Sequence, residues 1–270
     1  MVELQKKYQI GVRKFGLINW VGFSSLYKKE VLRFFAVWQQ TLLSPLVSSG
    51  LFLLVLFLAI GNERGDVLGH SFLVFLAPGL ICMQVCQQAF SHSSSSLMIG
   101  KMQNILVDTI MAPLSDAEIT LAIILAAVTR SVIIAMISII FFSFFIDLKI
   151  NNFMYLIFFT VSGSFILGAA GLMAGQFSDK FDNLSAITNF VLTPLTFCSG
   201  TFYTLDRLPE ILKSISLYNP IFLIINGFRT SFLGVSDGPI LFSIIFLFIL
   251  TILSWLISYS YFKSGHKIKT

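Results

Sequence analysis

Residues 240–262 read ILFSIIFLFILTILSWLISYSYF, twenty-three positions without one charged side chain. About 20 apolar residues are what a helix needs to cross the hydrocarbon core of a bilayer. Five more apolar runs precede this one: Trp38 to Ile60, Phe72 to Phe90, Ile119 to Phe145, Phe153 to Phe177 and Ile187 to Tyr203. None alternates as a barrel strand would, and lipid cannot satisfy an open backbone, so helices are the economical choice. The composition agrees. Of 270 residues, 56% are hydrophobic and 11% charged, with a mean hydropathy of +0.87. Soluble domains carry about 25% charged residues. Secreted, collagen-like and disordered classes are excluded, and the expected fold is an all-α integral membrane protein with six transmembrane helices.

The segments between the runs define the rest of the architecture. The whole chain, 1–270, is expected to form one membrane domain, with 1–36 as a cytoplasmic or interfacial segment, 37–262 as the six-helix body and 263–270 as a tail. Residues 1–36 are not a signal peptide, since no short apolar core with a small-residue cleavage site follows the charges. From Trp20 to Phe35, the residues Phe23, Leu26, Tyr27, Val31 and Phe34 repeat at helical spacing, opposite Ser24, Ser25, Lys28, Lys29 and Arg33. Basic residues facing aromatics suit an N-terminal amphipathic helix lying in the membrane interface.

Charge placement orients the spans. With both termini cytoplasmic, Lys6, Lys7, Arg13, Lys14, Lys28, Lys29, Arg33, Lys101, Lys180, Lys263, Lys267 and Lys269 lie inside, twelve against five outside (Arg64, Lys149, Arg207, Lys213 and Arg229). The positive-inside rule favours that arrangement. A pI near 9.1 therefore reports orientation, and nucleic acid is not an expected partner. The bilayer is.

Two connecting segments carry structure of their own. In the loop from Ser91 to Glu118, Ile105, Leu106, Ile110 and Met111 surround Asp108 as a short amphipathic helix ending before Pro113. Ser115 to Glu118 is then a capping box for the third span. A short helix wedged between two spans is a natural docking knob for a soluble partner. From Thr204 to Gly234, two stretches too short to cross are separated by Asn219-Pro220, since proline cannot continue a helix and disfavours one at the residue before it. A re-entrant periplasmic helical hairpin before the last span is the simplest reading.

Enzymatic chemistry finds little support. No G-x-x-x-x-G-K-[ST] loop is present, so the chain binds no nucleotide of its own. His70, His92 and His266 lie at membrane edges without metal-ligand spacing. Ser164 has no histidine in any span to activate it. Cys82, Cys86 and Cys198 are an odd number in apolar stretches and form no disulfide framework. GLMAG at 171–175 is a small-residue step for close helix packing.

The polar residues inside the spans are candidates for a path. Arg130 sits about 18 Å along its helix from Glu118, near the midplane, and intramembrane arginines default to a functional hypothesis. The bland alternative is packing against Gln176 or Asn189. Gln84, Gln87 and Gln88 give the second span one wet face, suited to a path or a partner helix.

In order along the chain stand KEVLRF at 29–34, Ser44-Pro45, FLAPG at 75–79, MAPLSDAE at 111–118, LTPLTF at 192–197, Ser199-Gly200, Leu208-Pro209, Tyr218-Asn219-Pro220 and Gly227-Phe-Arg229. From about Leu26 to Phe262 the sequence resembles the ABC-2 type transporter permeases, nearest to the subgroup of YadH-like and nodulation-factor export permeases. One departure is Leu223, where family signatures often place a polar residue three positions after the proline.

The resemblance implies a homodimeric permease subunit of an ATP-driven exporter in a bacterial inner membrane. ATP and Mg would bind a separate ABC ATPase, and this chain would bind no cofactor and catalyse no reaction. ATPase coupling would fall to Lys29, Glu30, Arg33, Ile105, Leu106, Asp108, Ile110 and Met111. Glu30 would meet a basic residue of the ATPase, with an i, i+3 pair to Arg33 as the alternative. The translocation path or helix packing would involve Arg130, Gln84, Gln87, Gln88, Pro194, Asn219, Pro220 and Arg229. An ATP-independent carrier or a membrane assembly factor is the competing reading. A secondary transporter would carry intramembrane acidic residues in paired broken helices, and no span interior here has one.

Overall fold

A computed structural model of the chain describes residues 18–60 and 67–265. Lys6, Lys7, Arg13, Lys14, Arg64, His266, Lys267 and Lys269 lie outside the described residues. Among those described, the only extended pairing is an isolated bridge between Val67 and His70. The helices are α1 (Trp20–Ala36), α2 (Ser44–Ile60), α3 (Phe72–Met102), α4 (Ile105–Met111), α5 (Asp116–Ser143), α6 (Phe153–Phe177), α7 (Phe181–Ile187), α8 (Thr193–Phe197), α9 (Glu210–Leu217), α10 (Pro220–Leu233) and α11 (Ile240–Lys263).

Local chemistry explains the boundaries. The capping box forms as expected: Ser115 N–H donates to Glu118 Oε2 at 2.7 Å, and Glu118 N–H to Ser115 Oγ at 3.3 Å. Asn19 and Asn152 cap α1 and α6 in the same way, accepting from Gly22 N and Tyr155 N. Two π turns, Gln39–Leu43 and Thr188–Leu192, lead into α2 and α8. Each precedes a proline, Pro45 or Pro194. Proline has no N–H and its ring crowds the carbonyl four residues back, so the preceding backbone widens. Ser44 N–H reaches Gln39 O and Thr193 N–H reaches Thr188 O, both five residues back.

Five described helical stretches are long and apolar enough to cross a membrane: Gln39–Ala59, α3, α5, α6 and α11. The α9–α10 pair, bent by 82°, makes a sixth if counted as one. This corrects the expected set. The run Ile187 to Tyr203 is helical only to Phe197, its helix begins at Phe181, and the seventeen residues from 181 to 197 are interrupted by the π turn. The loop expected from Ser91 is also shorter, because α3 continues through twelve more residues to Met102. Two of its serines here, Ser94 and Ser95, bond back to carbonyls of their own helix, which helps a polar stretch stay helical.

The hairpin at Asn219-Pro220 forms, but its halves differ. Every residue of α10 from Ile221 to Leu233 is buried, whereas α9 buries none. Protein, not lipid, sheathes α10.

The core forms around α3, which packs most extensively on α6 and α5. The GLMAG step brings backbone against backbone: a Cβ on Gly175 would stand 2.6 Å from the Ser94 carbonyl oxygen of α3, and one on Gly171 would press on that of Phe90. Backbone cannot yield there as a side-chain tip would. Gly175→Ala is expected to lower stability by about 1–3 kcal/mol through overpacking. Gly100→Ala, whose nearest new contact is 3.5 Å away, should lose none, which paired thermal unfolding curves in detergent will show. On the outer face, α11 buries only Ser243, Leu247, Ser254, Ser258 and Phe262, nearly one stripe at four-residue spacing. Ser258 Oγ donates to Ala169 O of α6 at 3.1 Å. On its other face Leu241, Ile245, Phe248, Ile249, Ile252 and Leu253 are exposed apolar surface suited to lipid.

Candidate functional site

The expected coupling residues lie together at one end of the bundle, where α1 and α4 flank the start of α5. Between α1 and α4 runs an open cleft of about 440 Å³ bordered by Asn19, Ser25, Lys29, Ile105, Asp108 and Thr109. Its two charged side chains, Lys29 and Asp108, come from opposite walls.

Glu30 is placed otherwise than expected. It is buried, and the intrahelical pair is the one that forms: Arg33 Nε donates to Glu30 Oε2 at 3.0 Å. Ser96 Oγ of α3 donates to the same oxygen at 2.7 Å, and His92 Nε2 stands 3.8 Å away. Arg33 Nη2 also donates to His92 O at 3.1 Å. The reason is burial: a carboxylate removed from water must gather its own donors. Glu30 and Arg33 therefore fasten α1 to α3.

Leu106 is likewise turned inward. It is 6% exposed and sits over Gly100 of α3, so it seats α4 on its own chain. The outward apolar face is Val107, Ile110 and Met111, exposed by 52%, 38% and 80%.

Sequence reading missed the latch that joins these pieces. Asn19 N–H donates to Glu118 Oε1 at 2.6 Å, and Asn19 Nδ2 donates to Pro113 O at 2.8 Å. One carboxylate thus caps α5 with one oxygen and holds the start of α1 with the other. The capping box was legible; a donor 99 residues away leaves no local signal.

Deeper in the bundle, the three glutamines of α3 each hold a different helix. Gln84 Nε2 donates to Pro45 O of α2 at 2.5 Å, and Gln87 Nε2 donates to Thr196 Oγ1 of α8 at 3.2 Å. Gln88 Oε1 accepts from Arg130 Nη2 of α5. Arg130, 8% exposed, thus finds Gln88 rather than Gln176 or Asn189. Gln176 instead donates to Tyr261 O, and Asn189 is exposed. Between α2, α3 and α8 lies a cleft of about 330 Å³, lined by the glutamines and Ser44 and Ser48 together with apolar Phe52, Leu80, Met83 and Phe197. The two proline-bearing arms, each entered through a π turn, form its walls.

Arg229, expected among the outer-loop charges, is instead 1% exposed in α10. Its Nε donates to Phe75 O at 3.2 Å, and its Nη2 donates to Gly200 O and Thr201 O at 2.8 and 3.0 Å. The guanidinium lies 3.9 Å from the Phe75 ring centroid, a cation–π contact. Gly79 makes room: a Cβ there would stand 2.8 Å from Arg229 Nη2. The scattered pieces FLAPG, Ser199-Gly200 and Gly227-Phe-Arg229 thus meet at one point. Asn219 caps α10 and donates from Nδ2 to Ser199 Oγ at 3.0 Å, with Pro220 in the first turn. Leu223 is fully buried, as its apolar side chain requires. Beyond α10, Asp237 accepts from Leu205 N–H at 2.6 Å. Burial pushes its carboxyl up, against that hydrogen bond and the Arg229 charge, which pull it down.

Comparison with known proteins covers nearly the whole chain. The family described as "ABC-2 type transporter" matches residues 21–233. The "Inner membrane transport permease YadH" of Escherichia coli K12 is 31% identical over 253 residues, which is 94% of this chain and 99% of that protein. The proteins of the same name from E. coli O157:H7 and Shigella flexneri match to the same extent.

Proposed function

Since this chain belongs to the ABC-2 type transporter family, we propose that it is the transmembrane subunit of an ATP-driven exporter, working as a homodimer with a separate ABC ATPase. The observation that carries the reading is the outward apolar face of α4 beside the α1–α4 cleft. Helices under about 12–15 residues are marginal in water, and α4 has seven. Leu106 secures it from within, which leaves Val107, Ile110 and Met111 for a groove on the ATPase. Closure of two ATPase subunits would push α4 and α1 together, because Asn19 ties the start of α1 to Pro113, just past α4, and to Glu118 of α5. Arg33 and Glu30 would carry that motion to α3, and the glutamines would carry it from α3 to α2 and α8.

Pairing of two copies follows from the second cleft. The glutamines and serines in its lining are unfavourable against lipid, and a second copy would cover them to enclose a path. The YadH relatives are named inner membrane permeases, and we place this chain in a bacterial inner membrane as well. The short helical stretch 181–197, extended by the turns to Tyr203, is read as a fifth crossing, with α9 and α10 on the periplasmic side. Both termini are then cytoplasmic, as the Lys and Arg distribution favours.

Single-cysteine labelling tests the topology. With α1 and α4 inside, cysteines at Asp206 and Asp237 should react with an impermeant maleimide from outside intact cells, and a cysteine at Ser25 only after permeabilisation. Labelling of Asp206 and Asp237 positions from opposite sides would overturn it. Affinity purification of the tagged chain tests the function: a soluble polypeptide with a Walker A loop should accompany it. Transport by the chain with no such partner would establish a carrier.

A further inference from the structure

We propose that the groove between α2 and the end of α5 holds one acyl chain of a bilayer phospholipid as a resident packing partner of α2. This goes beyond the transport reading and needs only that α2, α3 and α5 cross a membrane.

The groove follows from where α5 stops. Gly50 lets the two helices close on each other, since a Cβ there would stand 2.9 Å from Phe141 Cε1. Two residues past Phe141, α5 ends at Ser143, while α2 continues to Ile60. Beyond that contact α2 loses its neighbour, and a groove of about 390 Å³ opens. Leu53 and Phe142 form a buried floor, and Leu51, Leu54 and Phe57 of α2 face Phe145 across the opening. No polar side chain lines it. The serines of α2 at 44, 48 and 49 border the cleft with the glutamines instead.

Size selects the occupant. From Val47 to Phe57 the groove runs about 15 Å along α2, at 1.5 Å per residue. Its mean cross-section is then about 26 Å². Carbon chains that touch at about 4.0–4.5 Å need roughly 16–20 Å² each, so one chain fits. A helix 10–12 Å across occupies about 80–110 Å², so a span of a second copy does not enter. Asp147 and Lys149, paired at 3.0 Å and largely exposed, directly follow Ile146 in the lining. A charged pair belongs at the head-group level, so the groove opens where a phospholipid chain begins. A chain in the groove touches protein on several sides and gains more dispersion contacts than one on a flat helix face. Within lipid, such packing is what drives apolar association. The chain should therefore stay where others exchange.

The test reads lipid contact without ATP or a partner, so its failure leaves the transport reading to the copurification experiment. The Cys198→Ser chain is placed in nanodiscs of palmitoyl-oleoyl phosphatidylethanolamine and phosphatidylglycerol, with a trace of phosphatidylethanolamine carrying a diazirine in mid-chain. After irradiation, adducts are mapped by peptide mass spectrometry. Leu51 and Leu54 in the groove and Ile245 and Phe248 on the outer face of α11 are all between 50% and 58% exposed, so general lipid contact labels both pairs alike. The groove pair should carry about fivefold more adduct, and Leu54→Trp, which fills the groove, should bring Leu51 down to the level of α11. Equal labelling of the two pairs in the unfilled chain would mean ordinary lipid contact and would overturn the proposal, whether or not the Trp variant folds. Excess labelling of Leu51 that survives Leu54→Trp would place the chain elsewhere and overturn it too. Labelling of the groove below that of α11, with Leu54→Cys forming a disulfide between two copies, would mean that a second copy covers the groove and would likewise overturn it.

Discussion

Arg229→Met is expected to cost about 3 kcal/mol or more of stability, read as an early, broadened thermal transition of the purified protein. The reason is what stays behind. Phe75 O, Gly200 O and Thr201 O all accept from this guanidinium, and a buried acceptor left unmet costs about 1–3 kcal/mol. Methionine fills much of the space and answers none of the three. Arg229→Lys should fall between, because an ammonium lacks the planar fork that reaches both Phe75 and the 200–201 turn. Loss of the staple would also free the start of the Gly200 turn from α3, and with it the far end of α8. A Met variant as stable as the wild type would show that these carbonyls find other donors.

A second large effect is expected at α4. Replacing Val107 and Met111 together with Asp should leave the protein inserted and folded, since both side chains point away from the chain and Leu106 still seats the helix. The ATPase should be lost on purification. Two apolar anchors contribute about 1.5–3 kcal/mol each when fully buried, so the affinity should fall by roughly 100-fold or more. Leu106→Ala is the contrasting variant. It removes an internal contact, and its first effect should be on stability of the chain purified by itself. Retention of the partner by the double Asp variant would move the docking surface away from α4.

The contrast between Val107 and Leu106 shows where sequence reading ran out. Apolar residues at helical spacing identified α4, but a seven-residue helix between two larger elements has two apolar sides, and spacing does not say which is inward. The seat over Gly100 decides it. Glu30 misled for a related reason. A carboxylate interrupting an apolar stripe reads as exposed or as awaiting a partner, and here Ser96 and Arg33 meet it within the chain. Arg229 was misplaced because a charge between apolar runs is ordinarily a loop marker. Its acceptors, at Phe75 and at Gly200 and Thr201, are distant in sequence and entirely main-chain, so no side-chain pattern announces them.

What was legible is equally specific. Five of the long apolar stretches, the capping box at Ser115 and Glu118, the break at Asn219-Pro220 and the close packing at GLMAG all depend on local chemistry or on length. The fifth run failed at its boundaries because Pro194 imposes a π turn and hydropathy does not register backbone geometry. The glutamine face of α3 was visible as polar, but its division among α2, α5 and α8 is a property of packing alone.

The central claim is that energy enters this chain from a separate ATPase at the α1–α4 surface. Its most direct measurement is MgATP hydrolysis by the tagged chain purified from its own membranes, before and after the peripheral subunit is stripped, and again after that subunit is added back. The account predicts that hydrolysis leaves with the soluble subunit, returns on its addition, and fails to return when the membrane chain carries Val107→Asp and Met111→Asp. Hydrolysis retained by the stripped chain, or no hydrolysing partner in the initial preparation, would contradict it.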